Sequence, residues 1–493
     1  MSGRVPVLLL LCLLVAQGGC VWQTRPPPEP RIGGDTARQA CEALFQRLDQ
    51  EVRSARSADA AAARIDGFPW LRVTRPLASF AGELDSGPGF QAWLLQLSLA
   101  DAQARGHELV NLPYQQRVAL QRAWRSSADK QQLAASLPLA LEQCRELFNH
   151  ELLQDEQAMA RLRASATVPD AYRDWQRVLG LYPFAALIAR PRVEALHARL
   201  ASRPLPDSAA LRLYAAAPGL PPEVPRLLVR DALGIPDPAA VQARQLLHEH
   251  APVWAIEQQG PADIPGALLL DAHDQPFAAG WHPVEYRRIS WTRFGGEVLL
   301  QLNYSLWFSE RPASGLLDIY AGHLDSVTWR VTLNTDGSVL AYDSIHGCGC
   351  YYMLWPAEDW RVRTPQPTEE PVYSPGIAPQ PAAAERVQLT LEGGTHYLLA
   401  AQLVGAGQAA RELFVLPEDN LRSLPRPAGG RRSAFGSDGM ISASRRAERF
   451  VLWPLGVPSA GASRQHGQHA IAFIGRRHFD DPYLLENLLE PVQ

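Results

Sequence analysis

Val298-Leu-Leu-Gln-Leu-Asn-Tyr-Ser-Leu-Trp-Phe308 has a period of two: Val298, Leu300, Leu302, Tyr304, Leu306 and Phe308 alternate with Leu299, Gln301, Asn303, Ser305 and Trp307. Successive side chains of an extended chain point to opposite faces, so this stretch predicts a long strand with one apolar and one mostly polar face. The alternation returns at Val327, Trp329, Val331 and Leu333, set against Thr328, Arg330 and Thr332. Asn334-Thr-Asp-Gly337 follows as a type I turn with glycine at the left-handed position. A second strand then returns over 339–344 and delivers His346-Gly-Cys-Gly-Cys350 to the end of a hairpin, where Gly347 and Gly349 allow a tight bend. Eight of the 13 tryptophans lie from Trp254 onward, which extends the strand-rich reading over 251–493. A Pro-rich loop interrupts it at 364–384.

Upstream, the period becomes helical. Cys41, Leu44, Leu48 and Val52 recur at spacings of three and four, as do Leu137, Leu141, Cys144 and Phe148, with Pro138 where a first helical turn tolerates it. The expected fold is therefore α+β, an all-helical domain over 35–250 followed by a mainly antiparallel β-rich domain over 251–493. Cys41 and Cys144 each lie on an apolar helix face. In an oxidising compartment two such helices would join through a Cys41–Cys144 disulfide.

The compartment is read from the first residues. A basic start (Met1 to Arg4), an apolar core (Val5 to Ala16) and small residues before Cys20 describe a secretory signal over 1–19. Small residues directly before a cysteine are similar to the lipobox of bacterial lipoproteins, which would make Cys20 the lipidated first residue of the mature chain. Ordinary cleavage after Gly18 competes with this, because Gln17 stands where lipoboxes carry an aliphatic residue. The Pro-rich segment 20–34 reads as a semi-rigid tether off a membrane surface. Val21 rather than aspartate after Cys20 points to the outer membrane.

Exposed thiols do not persist unpaired in such a compartment, so Cys348 and Cys350 require a bond to each other, a metal, or a reactive role. As ligands, His346, Cys348 and Cys350 suit zinc or copper, with His469 of the tail as fourth donor. As a thiol enzyme, His346 would activate Cys348 or Cys350 while Asp343 orients the imidazole. As structural residues the two cysteines would close a small ring or pack under the hairpin. All three readings stay open. His346-Gly347-Cys348 is similar to the core of L,D-transpeptidases over three residues, but Gly349-Cys350 follows where that family carries Ile-Arg, and no role is carried over. A net charge of -4 over 493 residues gives no drive toward nucleic acid. Lys130 is the lone lysine, and neither Gly- or Pro-rich loop has the lysine and spacing of a phosphate cradle.

Asp343-Ser-Ile-His-Gly-Cys-Gly-Cys-Tyr-Tyr352, Gln301-Leu-Asn-Tyr304 and Gly475-Arg-Arg-His-Phe-Asp-Asp-Pro482 resemble segments of predicted proteobacterial lipoproteins with no assigned activity. The resemblance implies a compartment and no mechanism. The expectation is a cell-envelope lipoprotein, outer-membrane-anchored and facing the periplasm of a Gram-negative bacterium, acting as a non-catalytic binding or organising module with structural cysteines. Its partners would be the membrane, through lipidated Cys20, and an envelope protein or cell-wall component. The alternative is an envelope enzyme, a metal-assisted hydrolase or Cys/His thiol enzyme, centred on His346, Cys348 and Cys350.

Overall fold

The computed structural model describes residues 35–126, 134, 136–217, 228–408 and 410–492. Cys20, the 1–19 signal and the 20–34 tether lie outside the described residues. The N-terminal half begins with α1 (Asp35–Ala55), a hairpin of β1 (Ala63–Ile65) and β2 (Phe68–Val73), and the single turn α2 (Arg75–Ala78). The helices α3 (Pro88–Asn111), α4 (Tyr114–Ser126), α5 (Leu137–Leu152) and α6 (Glu156–Ser165) complete this cluster. The apolar stripes of α1 and α5 pack on each other, and the Cys41–Cys144 disulfide joins them with Cα atoms 5.4 Å apart. Beside this seam runs a buried ion-pair net. Arg72 of β2 pairs with Glu108 (2.7 Å), and Arg105 pairs with Asp101 (3.0 Å) and with Asp49 of α1 (2.8 Å). Arg145 of α5 reaches Asp101 as well (3.2 Å), so each buried carboxylate has a guanidinium to offset its desolvation.

Beyond α7 (Asp174–Leu179) and α8 (Tyr182–Ala201) the chain enters a large curled sheet. Its strands are β3 (Leu211–Ala216), β4 (Val253–Glu257), β7 (Val284–Phe294), β8 (Glu297–Arg311), β9 (Gly322–Leu333), β10 (Val339–His346), β11 (Met353–Pro356), β13 (Glu385–Leu391), β14 (Leu398–Gly405) and β15 (Arg411–Pro417). The helix α9 (Ala240–Glu249), the hairpin of β5 (Ala267–Leu270) and β6 (Pro276–Ala279), and the short β12 (Trp360–Val362) lie outside it. The spatial order is β11-β10-β9-β8-β7-β15-β3-β4-β13-β14.

The β8–β9–β10 meander sets Tyr304 opposite Trp329 and Val331 opposite Tyr342, with an irregularity in the β9–β10 register between Val339 and Ala341. The Trp329 ring stacks on Tyr342 at 4.9 Å and meets Trp355 edge-on at 5.1 Å. This apolar face is covered in part by Leu196 of α8 and by Leu246 and Leu247 of α9. The polar face is also buried, beneath the C-terminal segment. Most of its groups pair with one another: Gln301 donates to Thr332 (3.2 Å), Asn303 to Ser290 (2.9 Å), Ser305 meets Thr328 (2.8 Å), and Arg330 grips Asp343, while Asn303 Oδ1 is left unbonded.

Two parts of the expected fold are corrected. The 35–250 segment is not all helical, because the β1–β2 hairpin lies within it and β3 leaves it to enter the large sheet. The sheet is mixed rather than mainly antiparallel: β15 runs parallel to both β7 and β3, and β13 runs parallel to β4. The physical reason is shared. Alternation reports that a strand has two faces, whereas its partner and their relative direction come from long-range pairing that local pattern does not encode.

Candidate functional site

The β9–β10 hairpin carries His346 at its end, and the bend that follows is built from close approach. A Cβ on Gly347 would lie 1.9 Å from Ser326 Oγ, and one on Gly349, whose φ is +88°, would lie 2.4 Å from the Ala470 carbonyl oxygen. Backbone bonds then lock the loop: His346 N–H donates to Cys350 O (3.0 Å), Gly347 N–H to Ser326 O (2.8 Å) and Arg464 N–H to Gly347 O (2.8 Å).

His346 faces into a buried polar cluster assembled from separate strands and turns. Asp325 of β9 is its hub, accepting from Arg446 Nη2 (3.1 Å) and meeting His396 Nδ1 (2.9 Å), with His346 Nδ1 at 3.5 Å. His396 lies flat on Phe308 (3.9 Å between centroids) and turns its other nitrogen toward Asp263 at 3.5 Å. Burial opposes the charge of Asp325, but Arg446 and His346 outweigh it and hold its carboxyl well below the usual range. Burial likewise opposes protonation of His396, and the Asp263 and Asp325 carboxylates overcome it. At His346 burial wins and lowers the imidazole pKa. Tyr351 meets the His346 ring edge-on at 4.8 Å, and Arg311 lies over Tyr397 at 4.9 Å while donating to its hydroxyl at 3.0 Å. Both ring nitrogens of His346, Arg311 Nη1 and Arg446 Nε are buried and make no hydrogen bond among the described residues.

Cys348 is buried, Cys350 is half-buried, and both are free thiols. The Cys350 N–H points to Cys348 Sγ at 3.4 Å. A hydrogen bond from the Cys350 thiol lowers the Cys348 pKa, and the same contact with burial raises that of Cys350. A cavity of about 30 Å³, room for roughly one water, lies between the two cysteines and the tail at 470–473. His469 packs beside Gly349, its ring edge toward Phe479, and burial with Arg464 pushes its pKa down to about 3. Among the described residues no group of three or more His, Cys, Asp or Glu side chains is arranged to hold a metal.

Glu448 lies at the rim of this cluster. Burial raises its carboxyl to about 7 against the opposing pull of Arg446 and Arg311, from an ordinary value of 4.5. An acid that holds its proton more tightly in the fold than in the unfolded chain stabilises fully below the unfolded pKa, and that stability is lost as pH rises through the folded pKa. Glu448→Gln, which stays neutral, should therefore match the parent near pH 4 and exceed its urea midpoint near pH 8.

A second feature lies on the outside. Trp175, Val178 and Leu179 of α7 and Phe184, Leu187 and Ile188 of α8 are each more than half exposed. Neighbouring segments extend the surface. Gly180 abuts Pro454, next to exposed Phe450 and Val451, and the Glu448 N–H donates to Ile319 O beside fully exposed Leu316 and Leu317.

Of the residues singled out in the sequence, His346, Cys348, Cys350 and His469 come to one neighbourhood, while Asp343 is taken by Arg330 and Tyr352. Asp325, His396, Arg446, Arg311 and Glu448 were not foreseen. They come from four separate segments, with Arg446 and Glu448 together on one of them, and no common motif joins them, so no local signal marks them. In comparisons with known proteins the chain matches no family model, no curated protein and no solved structure.

Proposed function

We propose that this chain is an exported lipoprotein, anchored through Cys20 to the outer membrane of a Gram-negative bacterium and facing the periplasm, that binds or organises other envelope components without catalysis. The observation that carries this reading is the exposed apolar surface of α7, α8 and the 316–317 and 450–451 segments. Monomeric soluble proteins rarely leave so many adjoining large apolar side chains in water unless the surface has a partner. By contrast His346 and Cys348 are buried beneath the tail, beside a cavity too small for a substrate.

A second reading, an envelope enzyme centred on His346, Cys348 and Cys350, is favoured by one observation: the unbonded buried nitrogens of His346, Arg311 and Arg446. The two separate in a complementation assay of a strain lacking the protein. Phe184→Glu with Ile188→Glu should abolish function and His346→Gln should retain it; the reverse result selects the enzyme. Metal analysis and a free-thiol count on protein from an oxidising compartment give an independent check, because stoichiometric zinc or copper on unmodified thiols would count for the enzyme.

Anchoring has its own test. Cys20→Ala removes the acyl chains that give stable attachment and is expected to release the protein from membranes on fractionation. Wild-type protein that is already soluble, or carries no lipid by mass spectrometry, would remove the anchor from this proposal.

A further inference from the structure

The helix α8 is apolar on two opposite sides. Its inward side presents Ala189, Val193, Leu196 and Leu200 to the protein, whereas Phe184, Leu187, Ile188, Pro191, Ala195 and Ala198 form an exposed stripe along the opposite side. At 3.6 residues per turn these six positions fall within one narrow sector. A helix apolar all round is ordinarily buried all round, so the outer stripe lacks its medium. Arg192 and Arg199, both exposed, lie along one side of the stripe, and neither has an ion-pair partner among the described residues, while exposed Glu194 on the other side is paired with Arg190 at 3.0 Å. Across the surface Arg449 lies over the Phe450 ring at 4.6 Å, leaving a cation beside an exposed aromatic. Leu316 and Leu317 project side by side from the loop joining β8 and β9, and Tyr320 of that loop feels the charge of Arg192.

We infer that this face lies on an anionic lipid bilayer, with the stripe of α8 and the Leu316-Leu317 tip in the acyl boundary and the arginines at the lipid phosphates. The inference rests on the proposed binding role of the same surface and names its partner. Charge and shape favour lipid over protein. An apolar stripe bordered along one side by unpaired arginines fits a helix that lies in the membrane interface, and a projecting pair of leucines suits a medium that flows around it. Trp175 supplies the aromatic body that settles at headgroup level. Among the described residues no helix is long and apolar enough to cross a membrane, so the geometry is one of lying on the surface.

Hydrogen–deuterium exchange on the full chain tests this, alone and with vesicles of phosphatidylcholine that contain or lack phosphatidylglycerol. The N-terminal segment is the same in every arm, so the readout is protection at α7, α8 and the 314–320 loop. Exchange there should slow on vesicles, more with phosphatidylglycerol, and added salt should remove the difference between the two lipids. Leu316→Glu with Leu317→Glu should weaken the protection by about tenfold or more, while thermal melting stays unchanged because both side chains are in water. Protection that grows with protein concentration in the absence of vesicles would overturn the inference in favour of a second copy of the chain. Exchange unaltered by either vesicle would also overturn it; if Phe184→Glu with Ile188→Glu still abolishes complementation, the binding role survives and its partner is a protein.

Discussion

Replacing Arg330 by alanine is expected to destabilise the protein by about 3–5 kcal/mol, the range for removing one partner of a buried ion pair. Arg330 is 1% exposed and holds Asp343 through two nitrogens, while its third nitrogen donates to the Phe479 carbonyl at 2.6 Å and its plane lies 3.6 Å from the Phe479 ring. One side chain thus closes the β9–β10 ladder and fastens the tail over the polar face of the sheet. In the variant, Asp343 keeps only the Tyr352 hydroxyl (3.1 Å) and remains in a site built for a charge pair. Denaturant titration measures the loss, and limited proteolysis should find the 463–482 segment cut first. Arg330→Met with Asp343→Leu should recover most of the loss, because it is the unpaired charge and not the absent pair that destabilises. A single variant within 1 kcal/mol of the parent, taking about 1 kcal/mol as an ordinary hydrogen bond, would falsify this account of the tail.

Reducing the Cys41–Cys144 disulfide is expected to remove a comparable amount, on the order of 4 kcal/mol. The bond links positions 103 residues apart, so in the unfolded chain it forbids a large share of conformations. The loss should be concentrated in the helical cluster, where the bond adds to the packing of the α1 and α5 stripes, Phe45 on Phe148 at 6.0 Å among them, and where the exposed ion pair of Arg38 with Glu151 contributes little. Cys41→Ser with Cys144→Ser should lower the melting temperature and speed exchange in α1 and α5 before it affects the sheet. Non-reducing peptide mapping that found both thiols free would reject the bond itself.

The depth of the buried site separates these effects from function. Arg330 and the disulfide act through stability, so their variants should lose activity in the complementation assay only in proportion to folded protein. The outer stripe of α8 carries no such burden, and this is why its substitutions test the proposed binding role.

Much of the fold could be read along the chain. The period of two at 298–308 and 327–333, with Asn334 and Gly337 between strands, specifies the hairpin, and the observed turn has Gly337 at φ +86° with its N–H bonded to Asn334 O at 3.0 Å. The stripes at Cys41 and Cys144 specify two helices with a buried cysteine each. These features are legible because they are set by neighbours within a turn or a strand: side-chain direction repeats with the local backbone, and a turn depends on the φ its residues tolerate.

What tertiary structure alone decided is whatever depends on which surfaces meet. Leu187 and Leu196 are both apolar residues of α8, yet one faces water and the other the sheet, and no feature of the sequence distinguishes them. The same holds for the polar row Gln301, Asn303 and Ser305, buried because a tail from the far end of the chain lies over it. It holds again for His346, whose partners Asp325, His396 and Arg446 are brought together by sheet order and loop packing. Direction of strand pairing, the assembly of the polar cluster and the choice of exposed face all rest on contacts between distant segments, whose energies appear only once the chain has closed upon itself.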